Sequence, residues 1–473
     1  MKKLLALLLI VVLANGFMGC SSEDHNIEPN GGNGRTNKDT RDQDYFTVYQ
    51  FIWRSFYTYY YWNSNIPERL NLYQFKKPIE LFNYFKNPDD RFSALLNNYS
   101  ETYSYFNNEF VTAGIVYSLF TDKYNKDNVV AVVDLVYPGS PAEAAGIKRG
   151  QVIKAVNGTT FTRNNYQDLL SNNSFSVTYT LLTVNENTME LEYDGEEFTS
   201  PTITKTKMDV DPILQVSTHH INGHNIGYFL YESFDDNTQG LITAMEKLKA
   251  ENITDLVLDL RFNGGGYINT LDTLVSMIVP PGNEGKLFIN TDMNDNLTQA
   301  YRKRNVNLGD YFINMPVNLN INKLYVITSK NTASASEELI SGLKPYMDVV
   351  MIGDTTYGKY TTNFLLNNDE DEGKDPDGID HSEWAVYLVV GCCKNAAGEM
   401  NFKNGFVPDY YIKDLHIGEL GDPEEPLFAK AISLILGDDL PVLAKRGKPQ
   451  IKNDMQYITT VGKPDITKGL LMR

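Results

Sequence analysis

The chain has 473 residues, of which 42% are apolar and 12% aromatic; this is more than one ordinary core holds and predicts roughly two to four domains. That apolar content excludes a wholly disordered chain. A formal charge of −18, spread over short acidic clusters with no basic stripe, argues against any partner held by its phosphate backbone, so no nucleic acid is expected.

Lys2 and Lys3 precede an apolar run from Leu4 to Ala14, too short to span a bilayer comfortably, and small residues lead up to Cys20. This pattern predicts a secretion signal over residues 1–19. The stretch Gly16-Phe17-Met18-Gly19-Cys20 resembles a bacterial lipobox, with Phe17 where Leu is usual. The resemblance implies that Cys20 is lipidated and becomes the mature N-terminus; an ordinary signal with an incidental cysteine is the alternative. Ser21, Ser22, Glu23 and Asp24 resemble the surface-export signal of Bacteroidetes lipoproteins. The expectation is a protein of the bacterial cell envelope, anchored by lipid to a membrane on its periplasmic face or at the cell surface. Residues 20–44 are rich in Asn, Gly, Asp and Arg, cannot bury enough surface to fold, and predict a tether.

The aromatic run from Phe46 to Trp53 and the helical pattern Pro78-Ile79-Glu80-Leu81-Phe82-Asn83-Tyr84-Phe85 predict a small helical domain over residues 45–108. The pattern then turns strand-like, most clearly at Val129-Val130-Ala131-Val132-Val133, which predicts a β-rich domain over residues 109–205. Within it, Pro138-Gly139-Ser140-Pro141-Ala142-Glu143-Ala144-Ala145-Gly146-Ile147-Lys148-Arg149-Gly150-Gln151 reads as a turn, a short helix and two glycine turns. This run resembles the PDZ domains embedded in secreted peptidases, with Gln151 where Asp is usual. Such domains bind an extended C-terminal peptide along a sheet edge and cap its carboxylate with backbone amides. The resemblance places that loop and edge at Val111-Thr112-Ala113-Gly114-Ile115-Val116, with Ala113, Gly114 and Ile115 as peptide-binding residues.

From Ile213 to about residue 440 short apolar runs alternate with helical patterns. They include Asn225–Tyr231, Asp255–Leu260, Leu324–Thr328 and Val349–Ile352, and they predict an α/β layer architecture. The fold class expected is therefore multidomain α/β: a helical N-terminal domain, a PDZ-like β-rich domain, an α/β core, and an extension over residues 441–473.

Two segments of that core carry chemistry. In Thr328-Ser329-Lys330-Asn331-Thr332-Ala333-Ser334-Ala335-Ser336-Glu337, a buried strand gives way to a helix whose free amides favour developing negative charge. Ser334 with Glu337 also makes a capping box, so Ser334 on its own reads equally as a helix cap. Gly353-Asp354-Thr355-Thr356-Tyr357-Gly358-Lys359 follows the next strand, and neighbouring strands bring their ends together. A lysine acts as a base only when neutral, which a desolvated site favours; after a turn it is more often simply exposed.

Thr-Ala-Ser-Ala-Ser-Glu followed by Thr-Tyr-Gly-Lys, with Ser334 and Lys359 separated by 25 positions, resembles the tail-specific, C-terminal-processing serine peptidases. The resemblance implies Ser334 as nucleophile and Lys359 as general base. Leu258-Asp259-Leu260-Arg261-Phe262-Asn263-Gly264-Gly265-Gly266 resembles the family's oxyanion loop, with Gly264 in place of proline, and implies that the amides of Gly265 and Ala335 hold the oxyanion. The family's lysine-orienting glutamine falls at Asn363. Asn404-Gly405-Phe406-Val407-Pro408-Asp409 resembles its late turn. A serine endopeptidase acting on protein or peptide substrates is expected, with no metal or organic cofactor; the competing expectation is an inactive peptide-binding or scaffold lipoprotein that keeps the fold. Oligomeric state is not legible.

Cys392 and Cys393 are vicinal, a strained geometry for a bridge, and read as strand residues. The six scattered histidines make no zinc spacing and no Ser-His-Asp triad. The acidic run Asp369–Asp377 fails the ligand spacing of a calcium loop.

Overall fold

The computed structural model describes residues 45–106, 109–185, 188, 190–368, 380–437 and 456–461. The signal, Cys20, the tether and the acidic run therefore lie outside the described residues. No helix among the described residues is long and apolar enough to cross a membrane.

Helix α1 (Phe46–Tyr59) buries Val48, Tyr49, Phe51, Ile52, Ser55, Phe56 and Tyr59, a stripe at helical spacing. It ends where Tyr60 turns extended and docks against α2 (Pro78–Phe85) and the long strand Ala385–Asn395. The segment is not purely helical. Strand β1 (Ala94–Leu96) pairs antiparallel with Tyr387, Val386 and Ala385. The apolar side chains of α1 and α2 also join one continuous core with those of the α/β region, so the N-terminal segment and that region share a core.

The PDZ-like sheet is built on strands β2 (Ile115–Thr121), β3 (Val129–Val136), β4 (Gln151–Val156) and β5 (Val177–Leu181). Ser140 caps the short helix Pro141–Ala144 by accepting from Glu143 N–H. The extension over residues 441–473 contributes to this sheet, because β12 (Tyr457–Val461) pairs antiparallel with β2.

The α/β core is a six-stranded sheet. Antiparallel β6 (Ile213–Ile221) pairs with β7 (His224–Tyr231), and parallel β8 (Asp255–Asp259), β9 (Lys323–Thr328) and β10 (Asp348–Gly353) follow, with Tyr410–Tyr411 at the far edge. Side chains alternate across it with the period of a strand. Phe229, Leu256, Leu258, Leu324 and Val326 face the helices α3 (Thr238–Ala250), α4 (Ile268–Ile278) and α5 (Ala335–Leu343). Tyr228, Val257, Tyr325 and Ile327 face α6 (Pro426–Ile435) on the other side. Each such fully buried side chain contributes about 1.5–3 kcal/mol. A second sheet, in which β11 (Ala385–Asn395) pairs with Thr361–Asn367 and Leu287–Met293, lies on the α5 side.

Candidate active site

Parallel β8, β9 and β10 end side by side, and each releases one loop at the same edge of the sheet. The loop after β9 ends on Ser334, the N-cap of α5, with φ 56° and ψ −118°. A β-carbon is strained in that region of backbone space. Hydrogen bonds to the loop after β8 hold it there: Ala333 N–H donates to Asn263 O at 3.1 Å, the Ser336 hydroxyl to the same oxygen at 3.1 Å, and the Thr332 hydroxyl to Leu260 O at 2.8 Å.

The loop after β10 brings in Lys359. Its Nζ donates to Ser334 Oγ at 3.5 Å and to the Tyr387 hydroxyl at 2.8 Å, and it lies 5.1 Å from the Tyr387 ring centroid. Lys359 is 6% exposed, an unusual burial for a lysine. Gly358, with φ +87°, presses so closely on Gly405 N and Lys403 O, at 2.6 and 2.8 Å from an added β-carbon, that only glycine fits. The turn around Gly405 thus braces the lysine loop, and Arg91 of the N-terminal segment donates to Gly358 O at 2.7 Å and to Lys403 O at 2.8 Å.

Glu337 ties the two loops together. Its Oε1 accepts from the Thr356 hydroxyl and Gly358 N–H, at 2.5 and 2.7 Å. Its Oε2 accepts from Lys359 N–H at 2.7 Å and from Ser334 N–H at 3.1 Å. Burial pushes its carboxyl up to about 7, against the lowering effect of these donors. The residue that reads as half of a capping box thus fixes the separation of Ser334 and Lys359.

Two of the expected site residues have other hydrogen-bond partners in the structure. Gly265 N–H donates to Asn263 Oδ1 at 2.9 Å, so this amide is already engaged; what Gly265 supplies is closeness, since an added β-carbon would lie 2.7 Å from Ser334 Cβ and 3.0 Å from Ala335 N. Ala335, first residue of α5, keeps an N–H that no helical carbonyl can reach. Asn363 does not touch Lys359. Its amide accepts from the Thr361 hydroxyl at 2.9 Å and donates to Phe92 O at 3.5 Å, and the strand register shifts between Thr362 and Asn363. Tyr387, on β11, takes its place as the lysine's partner; no local pattern marks it.

Of the peptide-loop residues, Ala113 O accepts from Ala142 N–H at 3.0 Å, Gly114 has φ +81°, and Ile115 opens β2. All three stand at the N-terminal end of that strand. Cys392 and Cys393 are free and buried; the Cys393 thiol donates to Glu338 Oε1 at 3.1 Å. Among the described residues no group of His, Cys, Asp or Glu could hold a metal ion.

A serine at a helix start thus faces a buried lysine, on an α/β core joined to a PDZ-like sheet. The chain belongs to peptidase family S41: that family's model matches residues 225–412, its N-terminal domain residues 47–105, and a PDZ domain residues 132–182. Two carboxy-terminal processing proteases of Bacillus subtilis are 27% and 26% identical, over 47% and 60% of this chain and 42% and 53% of theirs. The chloroplastic C-terminal processing peptidase of Tetradesmus obliquus is 24% identical over 64% of this chain and 59% of that protein. The chain thus spans about half the length of the curated relatives it matches. A crystal structure of an S41-family protein from Bacteroides fragilis, 24% identical, aligns over 82% of this chain and 97% of that one with a TM-score of 0.67, so the two share a fold.

Proposed function

We propose that this chain is a serine endopeptidase that forms an acyl-enzyme, with Ser334 as nucleophile and Lys359 as general base, and that its PDZ domain engages the C-terminal tails of protein substrates. The observation that carries this reading is the approach of Lys359 Nζ to Ser334 Oγ at 3.5 Å in a site closed by Glu337 and Tyr387.

Neutral Lys359 takes the Ser334 proton as Oγ attacks the scissile carbonyl. The Ala335 N–H, at the positive end of α5, faces the oxyanion; Gly265 N–H joins it only on release from Asn263 Oδ1. As the C–N bond breaks, Lys359 returns the proton to the leaving amine. Water, deprotonated by the same lysine, then hydrolyses the ester. The reading invokes no metal or organic cofactor. The sequence before residue 45 supports the further proposal that lipidated Cys20 holds the enzyme to a membrane of the cell envelope; metabolic labelling with a lipid probe, lost in Cys20→Ala, tests it.

A serine-directed fluorophosphonate probe and mass spectrometry of cleaved peptides test the catalytic reading. Wild type labels and cleaves; Ser334→Ala loses both, and Lys359→Ala loses rate by on the order of 10²–10⁴-fold. Undiminished cleavage by folded Ser334→Ala overturns it.

A further inference from the structure

A PDZ ligand adds as a strand to one free sheet edge, antiparallel to it, with its C-terminal end toward the carboxylate loop. Here that edge is β2, whose other side is taken by β3. It is already occupied by the chain's own β12: Tyr457 opposes Phe120, Thr459 opposes Leu119, Thr460 opposes Ser118 and Val461 opposes Tyr117. Gln456 O accepts from Thr121 N–H at 2.8 Å. This direction carries the segment toward Gly114, the polarity of a bound tail.

The side chains fit as a ligand's do. The register shifts between Tyr457 and Thr459, and this bulge lets Ile458 and Val461 both pack on the PDZ core. Thr460 Oγ1 lies 3.3 Å from Ser118 Oγ, which donates to buried Asp134 Oδ2 at 2.8 Å. Tyr457 sits against Phe120, with ring centroids 5.9 Å apart. Lys330 Nζ, from the loop that ends on Ser334, lies 5.5 Å from the Tyr457 ring. The segment thus covers the strand edge a tail would use and also reaches the loop that ends on Ser334.

We propose that residues 457–461 are an internal ligand of the PDZ groove, which must leave before a substrate tail can enter. The groove then accepts extended tails with β-branched residues three positions apart and a hydroxyl side chain opposite Ser118. This rests on the reading that the PDZ domain engages substrate tails. It makes β12 a competitive, intramolecular inhibitor of tail binding.

The test is fluorescence anisotropy with the labelled peptide Tyr-Ile-Thr-Thr-Val, carrying a free carboxylate, on three forms of the Ser334→Ala chain. These are the full chain, the chain ending at Gly437, and the full chain with Ile458→Asp and Val461→Asp. The expected result is at least tenfold tighter binding to the second and third forms than to the first. Equal affinity in all three, or no binding to any, overturns the proposal. The double variant guards against a truncation that fails to fold. Because the readout is binding to protein without its nucleophile, the outcome is independent of catalysis; loss of the fluorophosphonate result alone removes the catalytic reading and leaves this one standing.

Discussion

Lys359 is held by a tyrosine where the family's pattern leads one to look for an amide. Tyr387 offers two contacts, a hydroxyl at 2.8 Å from Nζ and a ring face at 5.1 Å. Tyr387→Phe keeps the ring and removes the hydroxyl, so the lysine stays buried but loses the partner that aims it at Ser334. Losing one such hydrogen bond at a reacting group costs about 1–2 kcal/mol, and steady-state kinetics should show kcat down by about tenfold with KM little changed. An unaltered kcat would remove Tyr387 from the lysine's support. Ser334, Lys359 and Glu337 were legible because each sits in a short motif with a local mechanism. Tyr387 was not, because only the pairing of β11 with Thr361–Asn367 brings it near, and a pairing partner leaves no mark in its own neighbourhood. The engagement of Gly265 N–H was equally hidden, since it depends on how the Asn263 side chain turns.

Among the elements, β7 to β10 were legible within a residue or two, since short apolar runs bounded by turns admit few other readings. Several strands escaped, among them β1, three residues long and defined only by its distant partner, and β12, whose pentapeptide gains its identity from the edge it covers. The helices α4 and α5 carry a feature that composition conceals. Asp272 on α4 and Asp310 on the neighbouring short strand are partly buried near each other and near Glu338 of α5, and loss of solvent pushes their carboxyls up to about 8 and about 7. Their folded values lie above those of the unfolded chain, so the folded state keeps protons that the unfolded state releases from about pH 4 upward. The stability they lend is complete below that point and is lost as pH rises through 7 to 8. Asp272→Asn removes one of these charges. Urea unfolding at pH 8 should show the variant more stable than wild type by about 1–3 kcal/mol, with little difference at pH 4; equal stability at both values would mean that Asp272 is not buried as described.

At the scale of the whole molecule, the PDZ domain is tied to the α/β core by buried polar contacts. Arg149 donates to Asp414 Oδ1 at 2.5 Å, Asp414 in turn pairs with Arg261 at 3.0 Å, and Arg261 is held by Asp259 and Glu425 beneath the glycine loop. Burial alone would raise the Asp414 carboxyl, but Arg149 and Arg261 hold it well below the usual carboxylate range. The Tyr137 hydroxyl adds a hydrogen bond to Glu232 at 3.0 Å. Arg149→Ala removes one of the cations that offset the burial of Asp414, and breaking a buried pair of this kind costs on the order of 3 kcal/mol. Denaturant melts together with limited proteolysis should show a destabilised chain that is cut more readily around the PDZ domain; wild-type behaviour in both would mean that the link carries no stability. The modular order of the chain was legible in sequence, whereas this seam was not, because its residues are scattered from Tyr137 to Glu425.

The strand at residues 457–461 has a further consequence, one of number. A ligand covalently joined to its own receptor meets it at a local concentration on the order of millimolar however dilute the protein is. A single substrate tail therefore competes against a rival that never diffuses away, and it wins only by superior affinity or by abundance. Under the proposed inhibition, tail binding follows an ordinary saturation curve moved to higher tail concentration by the factor by which the internal strand closes the groove.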